Sequence, residues 1–92
     1  MTHDEEDFYR VLGERIADLR RDRNLTQQQL ADALSLSQKT IGHYEVGRIR
    51  VQVCLLPALA DCLGVSISEL IDPVRKSLAK RKPSRRSAQG GG

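Results

Sequence analysis

Aromatic residues are scarce in this chain, which contains one Phe, two Tyr and no Trp. A folded core must therefore be aliphatic, and Leu, Ile, Val and Ala recur at helical spacing along the sequence. Since β-rich folds draw on aromatic and β-branched residues, this composition favours an all-α fold. With 92 residues, the chain can form one small domain that has little room for an enzyme cleft.

Long apolar runs and catalytic motifs are also missing from the sequence. No stretch approaches the roughly 18 apolar residues of a membrane span, and the acidic segment 3–7 is unlike the start of a signal peptide. We find no catalytic triad, pair of catalytic carboxylates or phosphate-binding loop. We therefore expect a cytoplasmic protein that is not an enzyme, needs no cofactor and does not bind a membrane.

Only two cysteines occur, and their spacing suits neither a disulfide nor a metal site. Cys54 and Cys62 are eight residues apart in what reads as one helix, which separates them by about 12 Å. Together with His43 they lack a close ligand pair such as Cys-x-x-Cys. We therefore predict two reduced thiols in the core and no metal site.

Charge is distributed unevenly along the chain, although the net charge is only +3. Residues 1–7 carry four acids, whereas residues 8–72 carry eight acids and eight bases. Residues 73–92 carry seven bases and no acid, dispersed among Pro, Ser, Ala and Gly. Such a composition cannot build a core, so we predict a folded domain over 1–72 and a flexible basic tail over 73–92.

The apolar pattern and the capping residues predict five helices. The first carries Phe8, Leu12, Ile16 and Leu19 on one face and ends near Asn24; it begins either at Thr2 or after a frayed acidic start. Capping residues then mark three further starts, at Thr26, Ser37 and Ser66. Pro57 suits the first turn of a fourth helix that begins between Val53 and Leu56 and ends at Gly64, and Asp72-Pro73 is expected to close the fifth.

Three segments, LTQQQLADAL, SLSQKTIGHYEVG and LADCLGVSISELI, follow one another in a familiar order. Over residues 8–72 the chain resembles the helix-turn-helix proteins of the lambdoid phage repressor and Cro type, also called XRE regulators. The resemblance implies a five-helix, lambda-repressor-like DNA-binding domain from a bacterium or phage. It also implies an ion pair between Arg20 and Glu45, and it places Ser35 at a turn position that is usually Gly.

The third helix has one polar face whose side chains are not needed to form the core. Ile41 belongs to the core and Tyr44 is more easily placed there than on a phosphate, so Gln38, Lys39 and His43 should point outward. An α-helix fits the major groove of B-DNA, where Gln can read adenine and Lys can donate to guanine. His43 remains either a DNA contact or a solvated surface residue. The predicted DNA-binding set is Gln27, Gln28, Ser37, Gln38, Lys39, Thr40, His43, Arg48 and Arg50.

The sequence leaves the use of this fold open between several functions. The favoured interpretation is a transcriptional repressor that binds an inverted repeat in double-stranded DNA as a homodimer, with the fifth helix (Val65, Ile67, Leu70, Ile71) as the candidate dimer surface. An antitoxin or adaptor would instead use the fold to bind a protein partner, and a nucleoid-type protein would bind any duplex. The basic tail either adds a nonspecific electrostatic contact with DNA or only keeps the protein soluble.

Overall fold

The computed structural model describes residues 3–80, which form five α-helices and no strand. The helices are α1 (His3–Asp22), α2 (Gln27–Leu34), α3 (Gln38–Glu45), α4 (Leu56–Leu63) and α5 (Ile67–Lys80), and a single 3₁₀ turn (Val53–Leu55) precedes α4. The all-α, five-helix prediction is confirmed. The possible start of α1 at Thr2 lies outside the described residues.

The core is aliphatic, as the composition requires. Every α-helix contributes at least one side chain to it, and residues spaced along the predicted apolar faces are almost fully buried. The largest of these are Leu12, Ile16, Leu30, Ile41, Leu59, Leu63, Leu70 and Val74. Because α2, α3 and α4 have only eight residues each, they depend on this packing and on capping for stability.

Polar caps fix the starts of the short helices. Thr26 and Gln29 form a reciprocal capping box at the start of α2, with bonds of 3.0 and 2.8 Å. The Ser37 hydroxyl accepts from the Thr40 amide at 3.0 Å at the start of α3. A second reciprocal box, between Ser66 and Glu69, opens α5. The predicted capping residues are thus confirmed, because each satisfies amides that have no partner within the helix.

The turn between α2 and α3 has a left-handed residue that is not glycine. Ser35 adopts φ 59° and ψ 40°, and the Leu36 amide donates to the Ala31 carbonyl at 2.8 Å, which is the bond that closes a Schellman motif. The turn therefore has the left-handed geometry that glycine adopts readily, and the Cβ atom of Ser35 makes this conformation sterically unfavourable.

A glycine sets the distance between α1 and α3. A Cβ atom on Gly13 would overlap the Tyr44 carbonyl oxygen and would lie 2.6 Å from the carbonyl oxygen of Glu45. The backbone of α1 thus touches the last turn of α3. The orientation of α3 is consequently fixed by backbone contact with α1 as well as by the turn that joins it to α2.

The fifth helix is longer than predicted, because Pro73 does not end it. α5 continues to Lys80, with Val74 1% exposed and Leu78 packed against the core. Proline has no amide hydrogen, so the Glu69 carbonyl loses its donor within the helix. The Arg15 side chain donates to that carbonyl at 2.8 Å instead. The predicted tail boundary at 73 is therefore wrong for residues 73–80, and residues 81–92 lie outside the described range.

Two further predictions need correction. Cys54 is exposed, because the segment before α4 is a 3₁₀ turn at the surface rather than part of the helix, whereas Cys62 packs against the core. Both thiols are free. Leu70, which we expected at a dimer surface, is fully buried within its own domain, while Ile67 is 43% exposed.

Within residues 3–80, no single helix is long and apolar enough to cross a bilayer. The segments 53–63 and 67–79 reach the necessary hydropathy only as a pair bent by 107°.

Candidate nucleic-acid interface

The first turn of α3 presents polar side chains to solvent. Gln38 and Lys39 are exposed, while Ile41 and Tyr44 are buried on the opposite side of the helix. The predicted orientation of these four side chains is thus confirmed. His43 is half-buried one turn further along. The two hydroxyls at the helix start are already engaged, because the Ser37 Oγ lies 2.9 Å from the Thr40 Oγ1.

The starts of α2 and α3 meet at a pair of glutamines. Gln38 donates from Nε2 to Gln27 Oε1 at 3.3 Å, although the two residues are eleven positions apart in sequence. Gln28 lies beside them on α2 and donates to Asp32 at 2.8 Å. The tight turn therefore brings predicted DNA-binding side chains of two separate helices onto one surface.

A buried ion pair lies directly behind these glutamines. The Arg20 Nε donates to Glu45 Oε2 at 2.7 Å, and only 12% and 5% of the two side chains are exposed. Arg20 also donates to the Leu25 carbonyl at 2.8 Å, which links the end of α1 to the loop before α2. The predicted pair is therefore present, and it is buried rather than superficial, so removing one partner would leave a charge without compensation.

The ion pair also reaches the surface glutamines, which the sequence did not indicate. Gln27 donates from Nε2 to Glu45 Oε1 at 2.9 Å. Gln27 and Glu45 are eighteen residues apart on different helices, so no sequence spacing points to this contact. Only the packing of α2 against α3 brings the two side chains together.

Basic side chains follow α3. Arg48 and Arg50 are exposed in the segment after Gly47, whose φ of 75° turns the chain away from the helix. Among residues 3–80, neither arginine forms an ion pair, and neither does Lys39. Their charges are therefore not neutralised by a carboxylate of the described part of the protein.

Tyr44 supports α3 from the core side. It is 4% exposed, and burial raises the pKa of its hydroxyl, with a smaller contribution from the neighbouring Cys54 thiol. The neutral phenol is thus the form that suits the folded protein. No group of three or more His, Cys, Asp or Glu side chains that could hold a metal ion occurs within residues 3–80.

Comparison with known proteins agrees with this geometry. The model of a family described as a helix-turn-helix domain matches residues 11–71, which include α2, the turn, α3 and α4. The chain belongs to the helix-turn-helix family of phage-repressor and Cro type. The match ends at Ile71, so the last nine residues of α5 extend beyond the part that defines the helix-turn-helix family.

Individual helix-turn-helix proteins are similar over most of the folded part. A transcriptional regulator of Sinorhizobium fredii, y4dJ, is 37% identical over 67 residues, which are 73% of this chain and 87% of that protein. The immunity repressor of Bacillus phage phi105 is 35% identical over 66% of this chain, which spans only 42% of the repressor. The crystal structure of the clp gene regulator ClgR from Corynebacterium glutamicum superposes with a TM-score of 0.75 at 26% identity, covering 89% of this chain and 87% of that one.

Proposed function

We propose that this protein is a transcriptional repressor that binds an inverted repeat in double-stranded DNA as a homodimer, with α3 in the major groove. The observation that carries the proposal is the placement of Gln38 and Lys39, exposed in the first turn of α3 and beside Gln27 at the start of α2. Helix-turn-helix proteins read base edges with this turn of the second helix. Two relatives are named as a transcriptional regulator and an immunity repressor, which supports a role in transcriptional repression.

In this proposal, Gln38 and Lys39 distinguish base pairs. A glutamine amide matches the donor and acceptor of adenine, and a lysine can donate to O6 and N7 of guanine, each contact contributing about 1 to 3 kcal/mol of discrimination. His43 reaches the same groove from the next turn of α3. Ser37 and Thr40 flank these side chains and contact the DNA backbone through their hydroxyl groups, of which that of Ser37 also caps the helix.

Other polar side chains position the protein on phosphates. Gln27 and Gln28 line an open depression beside the start of α2, together with Arg21 and Gln38. A phosphate in that depression would receive an N–H of Gln27 and the field of the α2 N-terminus. Arg48 and Arg50, which follow α3 in the chain, contact a second stretch of the DNA backbone. These contacts add affinity without selecting a sequence.

Dimerisation would place two reading helices on successive major grooves, about 34 Å apart. Leu70 cannot contribute, because it is buried in the core. The exposed apolar side chains that remain include Ile67, 43% exposed at the start of α5, and Val53, 76% exposed before α4. We propose that Ile67 belongs to the dimer surface, and that Ile67→Glu yields a monomer by analytical ultracentrifugation.

Selection of binding sites from random duplex DNA tests the proposed function. We expect enrichment of a palindrome, and Lys39→Ala should change the preferred bases at one position of each half-site. Truncation after Lys80 removes four bases but leaves α5 intact, so it should lower affinity for all sequences and flatten the salt dependence. An unchanged preference in Lys39→Ala would show that α3 is not the reading helix.

The same selection separates the two alternative functions. A nucleoid-type protein would enrich no motif, and its affinity would depend almost entirely on salt. An antitoxin or adaptor would bind DNA weakly and would engage a protein partner through exposed apolar residues such as Val46, which is 63% exposed after α3.

A further inference from the structure

A chain of hydrogen bonds runs from the interior of the domain to the surface of α3. It begins at the Arg20–Glu45 ion pair, passes from Glu45 Oε1 to Gln27 Nε2 at 2.9 Å, and continues from Gln27 Oε1 to Gln38 Nε2 at 3.3 Å. Its inner end is 5% exposed and its outer end is exposed. Three helices contribute to it, so it exists only when the domain is folded.

The carboxylate of Glu45 determines which group donates and which accepts in each of these hydrogen bonds. A carboxylate can only accept hydrogen bonds, and Arg20 donates to both oxygens of Glu45, at 2.7 and 3.2 Å. Gln27 must therefore turn its NH₂ group toward Glu45. The opposite amide orientation would place a carbonyl oxygen against a carboxylate oxygen and lose the bond.

The orientation of Gln27 then determines that of Gln38. With its NH₂ group toward Glu45, Gln27 presents Oε1 to its neighbour, and an oxygen requires a donor. Gln38 supplies one N–H, which leaves its second N–H and its Oε1 open toward solvent. This open pair is one donor and one acceptor, as the N7 acceptor and N6 amino group of adenine require.

We infer that Glu45 is a positioning residue for base reading, which acts through Gln27 to hold the Gln38 amide in the orientation that selects adenine. The inference rests on the proposed function, since it requires that Gln38 reads a base. It goes beyond a stabilising ion pair, because it assigns to the buried carboxylate a share in sequence preference. The second N–H of Gln27 stays available for a phosphate.

The experiment compares base preferences of variants of the full chain on a library of half-sites. Gln38→Ala first identifies the base pair that Gln38 reads. Glu45→Gln keeps the shape of the side chain but lets either amide orientation of Gln27 form a bond, so the preference for adenine at that base pair should fall about tenfold. The preferences at the other positions should stay unchanged.

Two further variants separate positioning from stability. Arg20→Lys weakens the bidentate pair but keeps a positive charge beside Glu45 and leaves Glu45 as the acceptor for Gln27, so it should lower the melting temperature and preserve the adenine preference. Gln27→Leu keeps the Arg20–Glu45 ion pair but removes the hydrogen bonds that join Glu45 to Gln38. It should therefore reproduce the loss of adenine preference at the same base pair even if Glu45→Gln folds poorly. Folding of each variant is checked by circular dichroism at the binding temperature.

The outcomes distinguish this inference from the proposed function. If Gln38→Ala changes no preference, the proposed reading role of Gln38 is wrong. A second result would be that Gln38→Ala alone changes the base preference at a position, with Gln27→Leu and Glu45→Gln folded and unchanged there. In that case Gln38 reads the base without help from Gln27 and Glu45, and the inference is overturned. An equal loss of adenine preference in Arg20→Lys at a temperature where it is fully folded would also overturn it.

Discussion

The Arg15 side chain on α1 donates a 2.8 Å hydrogen bond to the Glu69 carbonyl, which is the carbonyl that Pro73 leaves without a donor in α5. A proline inside a helix costs about 3 kcal/mol, partly because of this missing bond. The two helices therefore hold each other through a backbone group that an ordinary helix would satisfy by itself.

Replacement of Arg15 tests this compensation. Arg15→Met should lower the free energy of unfolding by about 1 kcal/mol, since the Glu69 carbonyl loses its protein donor. In a Pro73→Ala background the helix regains the amide donor, so the same change should cost distinctly less. Urea unfolding of the four proteins measures the coupling, and equal costs in both backgrounds would contradict the assignment.

The left-handed turn residue offers a stabilising substitution. Ser35→Gly should raise the free energy of unfolding by about 1 kcal/mol, because glycine adopts φ 59° without steric cost. That corresponds to an increase in melting temperature of about 4 to 8 °C for a domain of this size. Ser35→Ala is the matched control and should give no such gain; a similar rise in both would show that the backbone conformation is not the cause.

Two helical glycines should respond oppositely to alanine. Gly13→Ala is expected to cost about 3 kcal/mol, because the new methyl group overlaps carbonyl oxygens of α3 that belong to rigid backbone. Gly42→Ala should stabilise the protein by up to about 1 kcal/mol, since its Cβ would have only Gln27 Nε2 nearby, at 3.9 Å. Thermal unfolding measures both, and a tolerated alanine at 13 would contradict the close approach of α1 to α3.

The buried phenol predicts a loss of stability at high pH. Burial raises the pKa of Tyr44 in the folded protein above the value of 10.0 expected for the unfolded chain. The folded state therefore holds the proton more tightly, so the contribution is complete below pH 10.0 and declines as the pH rises toward the folded pKa. Melting temperatures between pH 8 and 11 should fall less steeply in Tyr44→Phe; parallel curves would rule out Tyr44 as the cause.

Much of the fold could be predicted from the sequence because its signals are local. Thr26, Ser37 and Gly64 mark helix ends through bonds to nearby backbone, and the structure has those ends. The predicted end of α5 at Asp72-Pro73 was wrong, because the rule that proline stops a helix considers only the helix that contains the proline and not its packing partners. The burial of Val74 against the core and the hydrogen bond from Arg15 of α1 favour a continued helix, and both depend on packing against other helices, which no local pattern contains.

The candidate site shows the same division. Gln38 and Lys39 were predicted to be exposed from the helical phase of Ile41 and Tyr44, and they are. The contact of Gln27 with Glu45 could not be predicted, because it depends on the angle between two helices. Gly13 did leave a trace in the sequence, since a glycine on the apolar face of an otherwise strong helix often marks a close backbone approach.

The backbone contact at Gly13 has a consequence for how this protein can diverge. At Gly13 the backbone of α1 touches the carbonyls of Tyr44 and Glu45, so no side chain separates the two helices at this point and no smaller residue could bring α3 closer. If the proposed function is right, related proteins that keep this glycine should change their base preference by exchanging outward side chains of α3 rather than by moving the helix. Under that proposal, such proteins would bind different base sequences with α3 held at one angle to α1.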